Sequence, residues 1–182
     1  MALDQCADDP RPYIEAAAPA HPSLIDTEHR VADLYGVINV PTAVWIDERG
    51  TIVRPNDVAF GSEMFKDLTG FDSAAYLDAV RAWVNTGQHA LSDDQARAGL
   101  PKVTEKIAEA HARFRLGVWL REHGRTTEGD RQMDIASSLH PESWSMWRQA
   151  ADLVEVGKAS GPEFWKRVQA LGDRPYYPPP KL

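Results

Sequence analysis

The sequence predicts a mixed α/β chain, with a short sheet and flanking helices in its first half and an all-helical second half. Three observations carry this expectation. Thr42-Ala43-Val44-Trp45-Ile46 is an almost unbroken apolar and β-branched run, which suits a strand buried on both faces. Asp47-Glu48-Arg49-Gly50 follows as a tight-turn signal, and Thr51 to Arg54 reads as the return strand. From Val103 onward, apolar and small residues recur at helical spacing.

Taken in order, residues 1–4 read as the end of a strand, with Ala2-Leu3-Asp4 as its last residues. Asp8-Asp9-Pro10 is a helix start with acidic groups near the positive end of the dipole, so a helix is expected over Arg11–Ala18, ending before Pro19. His21 to Asp26 reads as a short strand centred on Ser23–Ile25. Asp26 or Thr27 then caps a helix over Glu28–Tyr35, with Val31, Leu34 and Tyr35 on one face and Gly36 just past its end. Pro41 sits at the entry of the 42–46 strand, where a missing N–H is tolerated. Residues 55–72 are rich in Gly and Asp and read as a loop, whereas Ser73–Asn85 carries Tyr76, Leu77, Val80, Trp83 and Val84 at helical spacing. Residues 88–101 read as a linker. Beyond it Ile107, Ala110, Phe114, Gly117 and Leu120 form one stripe, closed by His123-Gly124. The tail Tyr176-Tyr177-Pro178-Pro179-Pro180 has the composition of extended polyproline II.

The stretch Tyr35-Gly36-Val37, Val40-Pro41-Thr42, Ile46-Asp47 and Gly50 resembles the cis-proline loop and hairpin of the thioredoxin-like fold. Within that fold it is similar to thiol–disulfide reductases of the TlpA/ResA type. The resemblance runs to about Asn85 and implies a cis peptide bond before Pro41. It also implies that the backbone at Val40, Pro41 and Thr42 pairs with an extended substrate segment beside a reactive thiol. The family's Cys-x-x-Cys strand and helix have no counterpart in this sequence. By resemblance the missing strand lies between 2–4 and 42–46, so an incomplete thioredoxin-like sheet, truncated at its N-terminus, is expected.

In the second half, Arg113-x-x-Leu116-Gly117-x-x-Leu120, then Gly129-x-x-x-Met133, Ala136 and Pro141, resembles a tetratricopeptide repeat. The pattern restarts at Trp147-x-x-Ala150-Ala151-x-x-Val154, although Arg113 and Gly129 depart from the consensus aromatic and Ala. Small residues at 117, 129 and 136 suit close helix pairing. Two partial repeats are fewer than the roughly three such arrays need, so this unit is expected to lean on the first half. The expected organisation is a partial thioredoxin-like domain at 1–87, a linker at 88–101, a tetratricopeptide-like helical-hairpin domain at 102–172 and a Pro-rich tail at 173–182.

A net charge of −7 argues against non-specific nucleic-acid binding, which relies on basic surface. No apolar run approaches the roughly 20 residues that span a bilayer. No signal peptide is visible at the start, and the expected location is cytoplasmic. Cys6 is the only cysteine and has no Cys-x-x-Cys partner, so an incidental thiol is expected and no catalytic residue is assigned. His21, His29, His89, His111, His123 and His140 show no metal-ligand spacing; His29 falls in a helix first turn and the others read as surface or loop positions. Neither a metal nor another cofactor is expected. Asp8-Asp9 and Asp93-Asp94 read as helix starts rather than an acid–base pair. Trp144, Trp147 and Trp165 suit either a helical core or a peptide groove.

Two functions follow as expectations. The resemblance implies a member or remnant of a redoxin family of thiol–disulfide oxidoreductases, without dithiol activity in this chain. The alternative is a non-catalytic module that binds a protein or peptide through its tetratricopeptide-like helices.

Overall fold

A computed structural model of the chain describes residues 1–4, 6–58, 66, 71–155 and 157–176. Among these residues there are eight α-helices and one two-stranded antiparallel sheet. The order is α1 (Arg11–Ala17), α2 (Arg30–Tyr35), β1 (Thr42–Ile46), β2 (Ile52–Val58) and α3 (Ser73–Thr86). It continues with α4 (Asp93–Gly99), α5 (Glu105–Glu122), α6 (Thr126–Leu139), α7 (Trp144–Val154), a 3-10 turn at Lys158–Ser160 and α8 (Pro162–Gln169). No helix among the described residues is long and apolar enough to cross a membrane.

The hairpin is antiparallel, with Thr42 opposite Val58, Ala43 opposite Asp57, Trp45 opposite Arg54 and Ile46 opposite Ile52. The Asp47 carboxylate shapes its turn by accepting the amides of Arg49 at 3.0 Å and Thr51 at 2.8 Å, while Gly50 takes φ +80°. The peptide bond between Val40 and Pro41 is cis. The return strand is longer than the sequence reading: it runs through Pro55 to Val58, into the segment expected to be loop. Pro55 is tolerated because the register slips between Ala43 and Trp45, where no ladder N–H is required of it. The rest of that expected loop, apart from Lys66, Phe71 and Asp72, lies outside the described residues.

Burial in β1 is also one-sided. Trp45 is buried, but Ile46, on the opposite face of the strand and outside the cluster around Trp45, is substantially exposed. Trp45 anchors the first core with Val53, Phe71 and Tyr76, and Ala79, Val80 and Trp83 of α3 pack around it. Its indole stacks on Trp83 at 4.9 Å and donates from Nε1 to the Tyr76 hydroxyl at 2.7 Å. α3 matches its expected span. Asp72 caps it by accepting the amides of Ala74 and Ala75, and Gly87 closes it at φ +70°. Of the expected stripe, Val84 lies outside the core and is exposed.

The strand expected at Ser23–Ile25 is reduced to one parallel bridge between Ala2 and Ile25, held by Ala2 N–H to Leu24 O and Asp26 N–H to Ala2 O, each 2.9 Å. Asp26 does cap the next helix: its carboxylate accepts the amides of Arg30, Val31 and Ala32. The face of α2 is different from the expected one. Ala32 and His29 are buried, whereas Leu34 is 83% exposed. The reason is tertiary: α2 turns His29 and Asp33 onto α5, where His29 meets Phe114 and Asp33 pairs with His111 and Arg115.

The expected linker is packed rather than open. Ser92 and Gln95 form a reciprocal capping box that starts α4, and Ala96 is buried. At its end Gly99 lies so close to Pro55 that a Cβ there would come within 2.8 Å of the Pro55 ring, and Pro101 crowds Gly36 in the same way.

In the helical half, α5 and α6 form an antiparallel pair whose core is Ala110, Phe114, Met133 and Ala136, joined by Met146 of α7. Thr104 caps α5, and Gly124 at φ +78° turns the chain after it. Arg121 ties the three helices together by pairing with Asp130 and donating to the Leu153 carbonyl at 2.5 Å. Gly117 and Gly129 face each other at the crossing. A Cβ on Gly117 would sit 2.8 Å from the Gly129 carbonyl oxygen, and a Cβ on Gly129 would sit 2.6 Å from that of Gly117. These neighbours are backbone and cannot move aside as a side chain would. Gly117→Ala and Gly129→Ala are therefore each expected to destabilise the fold by about 1–3 kcal/mol, despite the better helix propensity of Ala. Urea unfolding of both variants beside the parent measures this.

Candidate functional site

Of the sequence-predicted site residues, Val40 and Pro41 lie on the loop between α2 and β1, and Thr42 opens β1. Gly36 at φ +60° ends α2, and the Val37 amide reaches back to the Ala32 carbonyl at 2.8 Å. The Asn56 side-chain amide then clamps the turn from β2, donating to the Tyr35 carbonyl at 2.7 Å and the Gly36 carbonyl at 2.8 Å. These contacts aim the next three residues at the helical half. The Ile38 carbonyl accepts the Ser145 amide of α7 at 3.0 Å. Asn39 is 6% exposed, and its Oδ1 accepts the Val40 amide at 3.0 Å and the Tyr176 hydroxyl at 3.3 Å. Val40 is partly exposed, with Pro41 and Thr42 half-buried. The loop therefore has one edge fixed to α7 and the tail, and one edge toward solvent.

The ground beneath that fixed edge is aromatic. Trp144 and Trp147 of α7, Phe164 of α8 and Tyr176 meet edge-to-face, with Trp144 to Phe164 at 5.9 Å and Trp144 to Tyr176 at 4.4 Å. Arg167 lies over both Trp144 and Trp147, at 5.1 and 5.2 Å from the ring centroids, and donates to the Pro141 carbonyl. Burial lowers its affinity for the proton, and the ring faces supply compensating attraction for the cation. Of the three tryptophans the sequence left open, Trp144 is core, Trp147 is half-buried and Trp165 is 46% exposed.

A second constellation joins residues from both halves of the chain, and no motif along the chain signals it. His29 and His140, the latter read as a surface or loop position, are both buried. His29 packs on Phe114 at 5.8 Å, and His140 lies 5.9 Å from His111, which pairs with Asp33. Burial is the first cause holding the His29 imidazole below its ordinary proton affinity, partly offset by Asp26, Asp33 and Asp4; His111 adds to the lowering. Burial and then His111 lower His140, against an opposing pull from Glu142. These residues come from α5 and from the ends of α2 and α6, so no spacing along the chain connects them. Among the described residues, no group of three or more His, Cys, Asp or Glu is arranged to hold a metal ion.

Cys6 is exposed, in the turn before α1, where its carbonyl accepts the Asp9 amide at 3.4 Å. Nearby, a broad open groove of about 800 Å³ runs between residues 2–4 and α1, lined in part by Asp4, Asp9, Tyr13, Ile14 and His21. Burial, followed by Asp9, raises the Asp4 carboxyl above its usual range.

Comparison with known proteins finds no family model that matches the chain, no similar curated protein and no matching solved structure.

Both buried imidazoles bind a proton less readily when folded than when unfolded, so the unfolded chain takes up more protons as pH falls. Their contribution to stability is complete above about pH 6.5, the unfolded value, and declines below it. Thermal melting is thus expected at a lower temperature at pH 5.5 than at pH 7.5. The difference should shrink in a His29→Gln variant.

Proposed function

We propose that this chain is a relative of the thioredoxin-like redoxins that binds a protein or peptide segment rather than reducing a disulfide. The observation that carries the reading is the placement of the cis-proline loop. Ile38 and Asn39 are bonded to Ser145 and Tyr176, so the loop is fixed against α7 and the residue at the start of the tail. In the resembled family the same loop presents backbone to an extended segment, a form of strand addition. The hairpin register and the cis bond at Val40–Pro41 agree with that resemblance.

Chemistry argues for binding over reduction. A dithiol cycle needs one thiolate to attack and a second thiol to resolve the mixed disulfide. The sequence has a single cysteine, and Cys6 stands exposed in a turn. The flanking sequence carries Asp4, Asp8 and Asp9, and its one cationic side chain, Arg11, is paired with Asp8, so the segment lacks the electropositive character that favours a thiolate.

Insulin reduction with dithiothreitol is expected to run at the background rate with the chain present, and equally so for Cys6→Ser. Turnover above background in either protein overturns the non-catalytic reading. A tiled array of extended peptides probed with the chain is expected to give binders that Cys6→Ser retains. An array without binders removes the recognition half of the proposal.

A further inference from the structure

We propose that the aromatic cleft between α7 and α8 recognises a tyrosine–proline segment, and that the chain's own Tyr176 occupies it. The inference rests on the reading of the chain as a binding module and names the class of segment it takes.

Three observations converge on the cleft. First, the Tyr176 ring stands edge-on to two rings at once, 4.4 Å from Trp144 and 5.6 Å from Phe164, each at an interplanar angle of 88°. Edge-to-face contact is the arrangement that aromatic quadrupoles favour. Second, the Tyr176 hydroxyl reaches Asn39 Oδ1 at 3.3 Å, so the phenol's polar end is recognised as well as its apolar body. Third, the walls are braced. Arg167 lies over Trp144 and Trp147, Arg148 lies 5.5 Å over Phe164, and Trp147 and Phe164 approach at 6.5 Å. A seat with braced aromatic walls and one placed acceptor discriminates tyrosine from a merely apolar residue.

The sequence around the seated residue completes the ligand class. Tyr176 follows Pro175 and precedes Tyr177-Pro178-Pro179-Pro180. A proline-rich segment is extended before it binds and loses little conformational freedom on docking, which is why aromatic-lined grooves accept such segments. Because the cleft adjoins the loop through Asn39, an occupant also touches the residue before Val40. The chain's own tail, tethered a few residues beyond α8, holds the seat at a high effective concentration. A free segment of the same chemistry must displace it.

The test uses a labelled peptide of residues 173–182 and fluorescence anisotropy. It is expected to bind the full-length Tyr176→Ala chain saturably, and to bind the parent chain at least about tenfold more weakly because the tail competes. The same peptide carrying Y176A is expected not to bind. A Tyr176→Leu chain, which keeps an apolar group in the cleft, serves as the recipient if circular dichroism shows that Tyr176→Ala has lost its helices. Equal affinity for parent and variant, or no binding to a folded variant, overturns the proposal. Concentration-dependent dimerisation of the parent that Tyr176→Ala abolishes also overturns it, since the tail would then sit in a second copy. If the tail peptide fails while the peptide array gives binders, the binding-module reading stands and this ligand class falls.

Discussion

A side-chain contact between α2 and α5 links the two halves of the chain. α2 has six residues, too few for a helix to persist by its own hydrogen bonds. Its geometry is imposed from both ends, by the Asp26 carboxylate on three amides and by Asn56 on the carbonyls of Tyr35 and Gly36. So held, it presents His29 and Asp33 to Phe114, His111 and Arg115. Ion pairs in partly wet positions contribute little each. Here the packed imidazole, the buried Ala32 and the crowding of Pro101 on Gly36 act in the same place. The cis-proline loop leaves the end of this helix, so its aim toward α7 follows from the docking.

The hairpin has a separate anchor in Trp45. Its indole stacks on Trp83, donates to Tyr76 and lies beneath the guanidinium of Arg54, which is 1% exposed. A buried charge is costly when alone; the Asp57 carboxylate and the ring face together offset that cost. Arg54 and Asp57 are both on β2, which continues through Pro55 to pair Asp57 and Val58 with Ala43 and Thr42.

Much of the local structure was legible. Asp26 and the glycines at 36, 50 and 124 act as the caps and turns their positions suggest, because each requirement is satisfied within a few residues. The stripe from Ala110 to Leu120 is buried as its period implies, and Gly117 meets Gly129 as small residues at a helix crossing should. The candidate loop was legible as well, down to its cis bond. What escaped was every feature made by residues far apart: the segment at 93–99 folded against β2, the exposure of Leu34, the His29–His111–His140 constellation and the seat of Tyr176 on Asn39.

By itself, the sequence determined where chain segments turn, stop and alternate, since those outcomes depend on backbone freedom and on hydrogen bonds to near neighbours. Only the tertiary structure decided which face of each short element was buried, because a six-residue helix or a two-stranded sheet offers several faces of similar polarity. The choice among them belongs to whatever packs alongside. For this protein that neighbour is the helical half. It draws His29 inward, leaves Leu34 in solvent and sets the loop at Val40–Pro41 beside an aromatic cleft.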